Sequence, residues 1–117
     1  MHDFRKLDVY QRALLFTKKV LQITAKLPRQ ELFGLTSQFC RAADSIALNL
    51  AEGAGCTSKR EFAKFIGYSA RSGYECGGCA DISMVLEYIS KKECDEIVGE
   101  INQMVAMLIG LQRSLQR

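Results

Sequence analysis

A chain of 117 residues, 48% hydrophobic and 25% charged, is long enough to bury one real core and too short for two substantial ones. That mixture, with a single proline, excludes a disordered chain and leaves long stretches free to stay helical. The formal charge of +3 permits contact with nucleic acid without demanding it, but it is lopsided: residues 1–74 carry 12 Lys/Arg against 6 Asp/Glu, and residues 75–117 carry 4 against 7.

Along the chain, Val9, Ala13, Phe16, Val20, Ile23 and Leu27 advance in steps of four and three, the spacing of an inward helix stripe, and predict a first helix over Leu7 to Leu27. Pro28 ends it. A short connection to Gly34 precedes Leu35, Phe39, Ala42, Ile46, Leu50 and Gly53, which resume the rhythm as a second helix closed by Gly53 to Gly55. Ser58-Lys59-Arg60-Glu61 reads as a capping box and opens a third helix, and Ser90-Lys91-Lys92-Glu93 opens a fourth. The third helix carries Phe62, Phe65, Ile66, Ser69, Gly73, Cys76, Ala80, Ser83 and Leu86 and can run to about 32 residues, or about 48 Å. Gly73, Gly77 and Gly78 interrupt its middle, so either the helix bends there or a neighbouring backbone packs unusually close; close packing is the preferred reading. Cys94, Ile97, Ile101, Met104, Leu108, Leu111 and Leu115 hold 3-4 spacing through the fourth helix.

No strand-like alternation occurs, and the connections are short, so the expected fold is all-α: an up-down-up-down antiparallel four-helix bundle formed by residues 1–117 as one domain. This topology gathers Arg5, Lys6, Arg12, Lys59, Arg60, Lys64, Arg113 and Arg117 at one end, where they outnumber Asp3, Asp8, Glu52 and Glu61. Glu87, Glu93, Asp95, Glu96 and Glu100, with Lys91 and Lys92, fall at the other. The longest apolar run, Met104 to Leu111, is far short of the roughly 20 residues that span a bilayer. With no apolar signal segment at Met1-His2-Asp3, a cytoplasmic location is expected.

Helices one and four carry more apolar residues than one bundle corner needs. Tyr10, Leu14 and Leu21 widen the first stripe to nearly half the circumference, and Val98, Val105 and Ile109 widen the fourth to about 160°. Self-association is the favoured reading; deeper burial within one bundle is the alternative.

Ser45-Ile46-Ala47-Leu48-Asn49-Leu50-Ala51-Glu52-Gly53 closely resembles the S-I-x-x-N-[IL]-A-E-G segment of the small four-helix-bundle proteins encoded within intervening sequences of bacterial 23S ribosomal RNA genes. That family also includes accessory proteins of diversity-generating retroelements. Phe33 to Gln38, Arg41-Ala42-Ala43, Ser58 to Phe62 in an S-x-x-E-F pattern, Glu75, and Phe4 to Tyr10 extend the similarity over essentially the whole chain. Gly73, Cys76, Gly77, Gly78 and Cys79 depart from it, standing where relatives generally have larger or more polar residues. The resemblance implies a non-enzymatic, often pentameric, barrel-like assembly, with affinity for nucleic acid in some members.

Arg5, Arg12, Lys19 and Lys26 recur every seven residues, so on one helix they form a line about 10.5 Å apart, a ladder that can face phosphates or simply a solvated face. Lys59, Arg60 and Lys64 form a second basic cluster near one bundle end. No DNA-binding finger, RNA-recognition signature or aromatic platform points to base-specific reading. Arg41, Asn49, Glu52, Gly53 and Glu75 are read as structural: the polar ones as hydrogen-bonded pins between helices, with Arg41 a partner for one carboxylate. Paired carboxylates for acid-base chemistry are the lesser alternative.

Five cysteines, an odd number without secretory context, read as reduced thiols. Cys76-x-x-Cys79 lies mid-helix without a second pair, and the only histidine is His2, so packing explains it better than redox or zinc chemistry. There is neither the Glu-x-x-His pair of a di-iron bundle nor a phosphate loop. The expectation is a non-enzyme without cofactor or metal: an oligomer, with a pentamer favoured, that binds structured RNA, an RNA-protein assembly or DNA through basic surfaces. An adaptor that recruits a partner such as a reverse transcriptase is the alternative.

Overall fold

Four apolar stripes wind into four α-helices in the computed structural model, which describes residues 3–116. They are α1 (Asp8–Thr24), α2 (Leu35–Ala54), α3 (Lys59–Val85) and α4 (Lys91–Leu115), and there is no strand among the described residues. Met1, His2 and Arg117 lie outside those residues. Phe16, Phe39, Ile46, Leu50, Ile66, Ile97, Met104 and Leu108 are fully buried, so all four predicted stripes meet in one core.

Cross-helix contacts fix the antiparallel order. Ser69 on α3 reaches back to Ile46 of α2, Gln112 on α4 reaches Ala63 of α3, and Arg12 and Lys26 meet Glu100 and Glu93 in descending order. The α2–α3 and α3–α4 pairs share the most extensive interfaces, whereas α1 leans chiefly on α2 and touches α4 along a thin seam.

Helix ends follow local chemistry. Ser90 and Glu93 form a complete capping box, each side chain satisfying the other's amide at 3.0 and 2.9 Å. At Ser58 only half of the expected box forms: the hydroxyl accepts from the Glu61 amide at 3.1 Å, while the Glu61 carboxylate turns to Lys64. The first helix stops earlier than its stripe predicts. Approaching Pro28, the amides of Lys26 and Leu27 bond only three residues back, to Ile23 and Thr24, so Lys26 lies beyond α1. Arg5 sits ahead of it, in a 3-10 turn over Phe4–Lys6.

The third helix is also shorter than its sequence pattern allows. It ends in a Schellman arrangement: the Tyr88 amide bonds to Ser83 and the Glu87 amide to Met84, with Glu87 in the left-handed region at φ 64°. Glycine normally marks such a stop, and here a glutamate takes the position.

At Gly53, α2 lies tight against α3. A Cβ built there would lie 2.7 Å from Phe65 Cβ and 2.9 Å from Phe62 Cδ1. The close approach expected around Gly73, Gly77 and Gly78 is therefore displaced to α2. Gly73 makes only ordinary van der Waals contact with Val105 and Ile101, and Gly78 faces open space. Neither glycine breaks α3, which runs through them without interruption because its flanks are buried against α2 and α4.

Opposite effects are expected from two glycine-to-alanine changes. Gly53→Ala should cost about 1–3 kcal/mol by overpacking, whereas Gly78→Ala should add about 0.8–1 kcal/mol from helix propensity alone. Glu87→Gly should add about 1 kcal/mol by relieving the left-handed residue. Urea denaturation checks all three; equal midpoints for Gly53→Ala and the parent would remove the close-approach account.

Candidate nucleic-acid interface

The two predicted basic groups meet different fates. Arg12 pairs with Glu100 at 3.5 Å and points a guanidinium nitrogen at the Met107 sulfur at 3.8 Å. Lys26 pairs with Glu93, and this hydrogen bond, together with the Ser90 backbone, pulls the Glu93 carboxyl below the ordinary glutamate range. Lys19 joins Arg12, Leu15, Phe16 and Glu100 around a 300 Å³ hollow on the α1–α4 seam. The expected four-rung ladder is thus broken: Arg5 and Lys26 are off the helix, and two of its four cations answer carboxylates of α4. Topology supplied those carboxylates, since antiparallel packing lays the acidic half of the chain along α1.

Lys59, Arg60 and Lys64 come together as expected. They line a 510 Å³ groove between the start of α3 and the end of α4, closed by Ala63, Gln112, Leu115 and Gln116. Ser58 starts α3 just before Lys59, so the cations also sit at the positive end of the helix dipole. Lys64 has Glu61 at 3.5 Å, but Lys59 and Arg60 pair with no acid among the described residues. The Gln112 amide donates to the Ala63 carbonyl at 2.9 Å, which holds the two walls together. Gln112 and Gln116 were not singled out from the sequence, although their four-residue spacing at the end of an antiparallel neighbour was a usable signal.

The polar motif on α2 does not pin helices together. Asn49 donates to the Ser45 carbonyl of its own helix at 2.8 Å, and Glu52 and Glu75 are exposed. Arg41 shares a polar hollow of 240 Å³ with Gln38, Ser45 and Glu75 but forms no ion pair among the described residues. Arg41, Asn49 and Glu52 stand on the outer flank of α2 and Glu75 on that of α3, where reach favours their own helix or solvent. The pins lie elsewhere. The Ser69 hydroxyl, fully buried, donates to the Ile46 carbonyl at 2.8 Å, and the Tyr88 hydroxyl donates to Glu31 at 2.9 Å.

Cys76 and Cys79 are buried and unbonded. Burial, reinforced by the neighbouring Cys79 and Glu75, pushes the Cys76 thiol up to about 12; burial and then Glu75 push Cys79 to about 11. Such thiols are poor nucleophiles at neutral pH. Among the described residues, no group of three or more His, Cys, Asp or Glu is placed to hold a metal ion, and no helix is long and apolar enough to cross a membrane.

These features define a four-helix bundle with a charged surface and a basic end groove. The family model described as 23S rRNA-intervening sequence protein matches residues 5–110, and the chain belongs to that family. No curated protein matches it. Among solved structures it is similar to a protein of unknown function from the S23 ribosomal protein family of Bacteroides thetaiotaomicron VPI-5482. The identity is 20% over 87% of this chain and 95% of that one, and the TM-score of 0.80 shows a shared fold.

In the folded protein at pH 8, a thiol alkylating reagent should label the half-buried Cys40 and Cys56 well before Cys76 and Cys79. Replacing Cys76 and Cys79 together by alanine should retain the helical circular dichroism and create no metal dependence. Stoichiometric zinc in the parent, lost together with folding in the variant, would overturn the packing role.

Proposed function

We propose that this chain is a non-enzymatic, homo-oligomeric scaffold, one bundle domain per subunit, that works in the cytoplasm and holds structured RNA or an RNA-protein assembly through basic surfaces. The observation that carries this reading is the groove in which Lys59, Arg60 and Lys64 converge beside the amides of Gln112 and Gln116. Cations at a helix start attract phosphate, and phosphate contacts supply most sequence-independent affinity. The exposed Leu14, Leu15 and Leu21 on α1 support self-association; on α4 the surplus is smaller, because Val105 is buried and Val98 half-buried. Repetition of a modest groove around an oligomer multiplies its effective affinity. A ring of five remains the assembly favoured by the family resemblance.

One observation favours the adaptor reading. Phe33 is 92% exposed, and its chain neighbour Leu32 lines a hollow of 340 Å³ together with Leu21, Leu27 and Pro28. An aromatic side chain so placed is suited to a protein partner, such as a polymerase.

The test is a salt titration of binding to an RNA hairpin and to duplex DNA. Changing Lys59, Arg60 and Lys64 to glutamine should weaken binding and flatten the log-affinity against log-salt slope by about 0.7–0.9 per lost contact. Changing Arg12, Lys19 and Lys26 to glutamine should flatten it less, because Arg12 and Lys26 already pair with Glu100 and Glu93. Identical slopes for the parent and the groove variant would dismiss the groove. No binding by the parent at low salt would discard the nucleic-acid reading and leave the adaptor.

A further inference from the structure

Arg60 and Lys64 line the end groove, and Tyr68 and Arg71 follow them along α3 at intervals of four, four and three residues. At 100° per residue these four fall within an arc of about 80°, in a line about 16.5 Å long. All four are exposed, and Tyr68 keeps 38% of its surface open. Arg60 and Arg71 pair with no acid among the described residues. The acids beside the line are Glu61, which pairs with Lys64 at 3.5 Å, and Glu75, which lines the hollow it shares with Arg41.

Tyr68 is held from two sides. Its ring meets Phe65 edge-on, with centroids 5.5 Å apart and planes at 78°, and Phe65 is itself half-buried against Gly53 of α2. The Arg71 guanidinium lies over the Tyr68 ring, 5.9 Å from its centroid, without covering it. An aromatic ring and a guanidinium plane are both surfaces on which unpaired bases stack.

Cations and ring contribute differently. Cations attract any nucleic acid, because every strand carries phosphates. A ring adds affinity only where a base is unpaired, since in a duplex each base face is already covered by its neighbours. Such stacking tolerates any sequence, because every base has a π-face, and so needs no base-reading motif.

We infer that a single-stranded segment of RNA runs from the end groove along the outer face of α3, its phosphates on Lys59, Arg60, Lys64 and Arg71 and one base stacked at Tyr68. This track rests on the nucleic-acid reading above and narrows it, from structured RNA at large to an unpaired loop or end of such an RNA.

Fluorescence anisotropy with a labelled oligouridine and an RNA duplex of the same length tests it, with circular dichroism confirming that each variant is folded. Tyr68→Ala should weaken oligouridine binding about 5-fold or more, leaving its log-salt slope and the duplex affinity unchanged. Tyr68→Phe should keep the parent affinity, because stacking uses the ring and not the hydroxyl. Arg71→Gln should flatten the oligouridine slope by about 0.7, the loss of one phosphate contact on a single strand. Parent-like oligouridine binding by Tyr68→Ala would overturn the track and leave the groove standing. An equal loss on oligouridine and duplex would also overturn it, by marking Tyr68 as a support for the fold. So would a parent that binds the duplex alone. Binding of neither at low salt would overturn the track and the nucleic-acid reading together.

Discussion

Everything on the α2–α3 side of the bundle depends on how near those two helices come. At Gly53 no side chain separates them, and two turns back along α2 the Ser69 hydroxyl donates to a buried Ile46 carbonyl at 2.8 Å. The first condition sets the spacing by excluding a Cβ; the second sets the register by tying a side chain to one backbone oxygen in a dry interior, where an unmet polar group is costly. With spacing and register settled, the neighbouring Glu52 is turned outward as Gly53 is turned inward. The Ser58 cap then starts α3 where Lys59, Arg60 and Lys64 can overhang the end of α4. The motif is therefore read twice, its apolar and glycine positions by α3 and its polar positions by the surface.

Charge is distributed on the same plan. The amino-terminal half is rich in cations and α4 is rich in acids, so folding α4 back along α1 pairs Arg12 with Glu100 and Lys26 with Glu93. Lys59 and Arg60 escape this pairing among the described residues and converge in the end groove, whereas two of the cations along α1 are answered by acids of α4.

The apolar rhythm made all four helices legible, because burial is the dominant force and it repeats with the helix. The Ser90 box was legible for a similar reason, being local. Errors arose where the deciding partner was distant in sequence. Glycines 73, 77 and 78 looked like a close approach from one helix alone, but only the facing side chains reveal that Phe62 and Phe65 crowd Gly53 instead. Seven-residue spacing aligned Arg5, Arg12, Lys19 and Lys26 on an ideal helix, while Pro28 and the 3-10 turn shortened the real one at both ends. Asn49 had the chemistry of an interhelical pin, yet its amide is satisfied four residues back on its own helix, whereas Ser69, legible only as a member of the third helix's stripe, donates to a carbonyl of α2.

The thin seam between α1 and α4 also has a bearing on how the chain matures. The α2–α3 and α3–α4 hairpins close between neighbours, but the Arg12 contact with Met107 joins positions 95 residues apart, and Lys26 with Glu93 joins positions 67 apart. Loops of that length close late, after local pairs have formed. During synthesis α1 leaves the ribosome before α4 and must wait for it before the seam between them can be covered. Through that interval Leu15 and Phe16 have no α4 beside them, so the step most exposed to aggregation is the final docking of the oldest helix against the youngest.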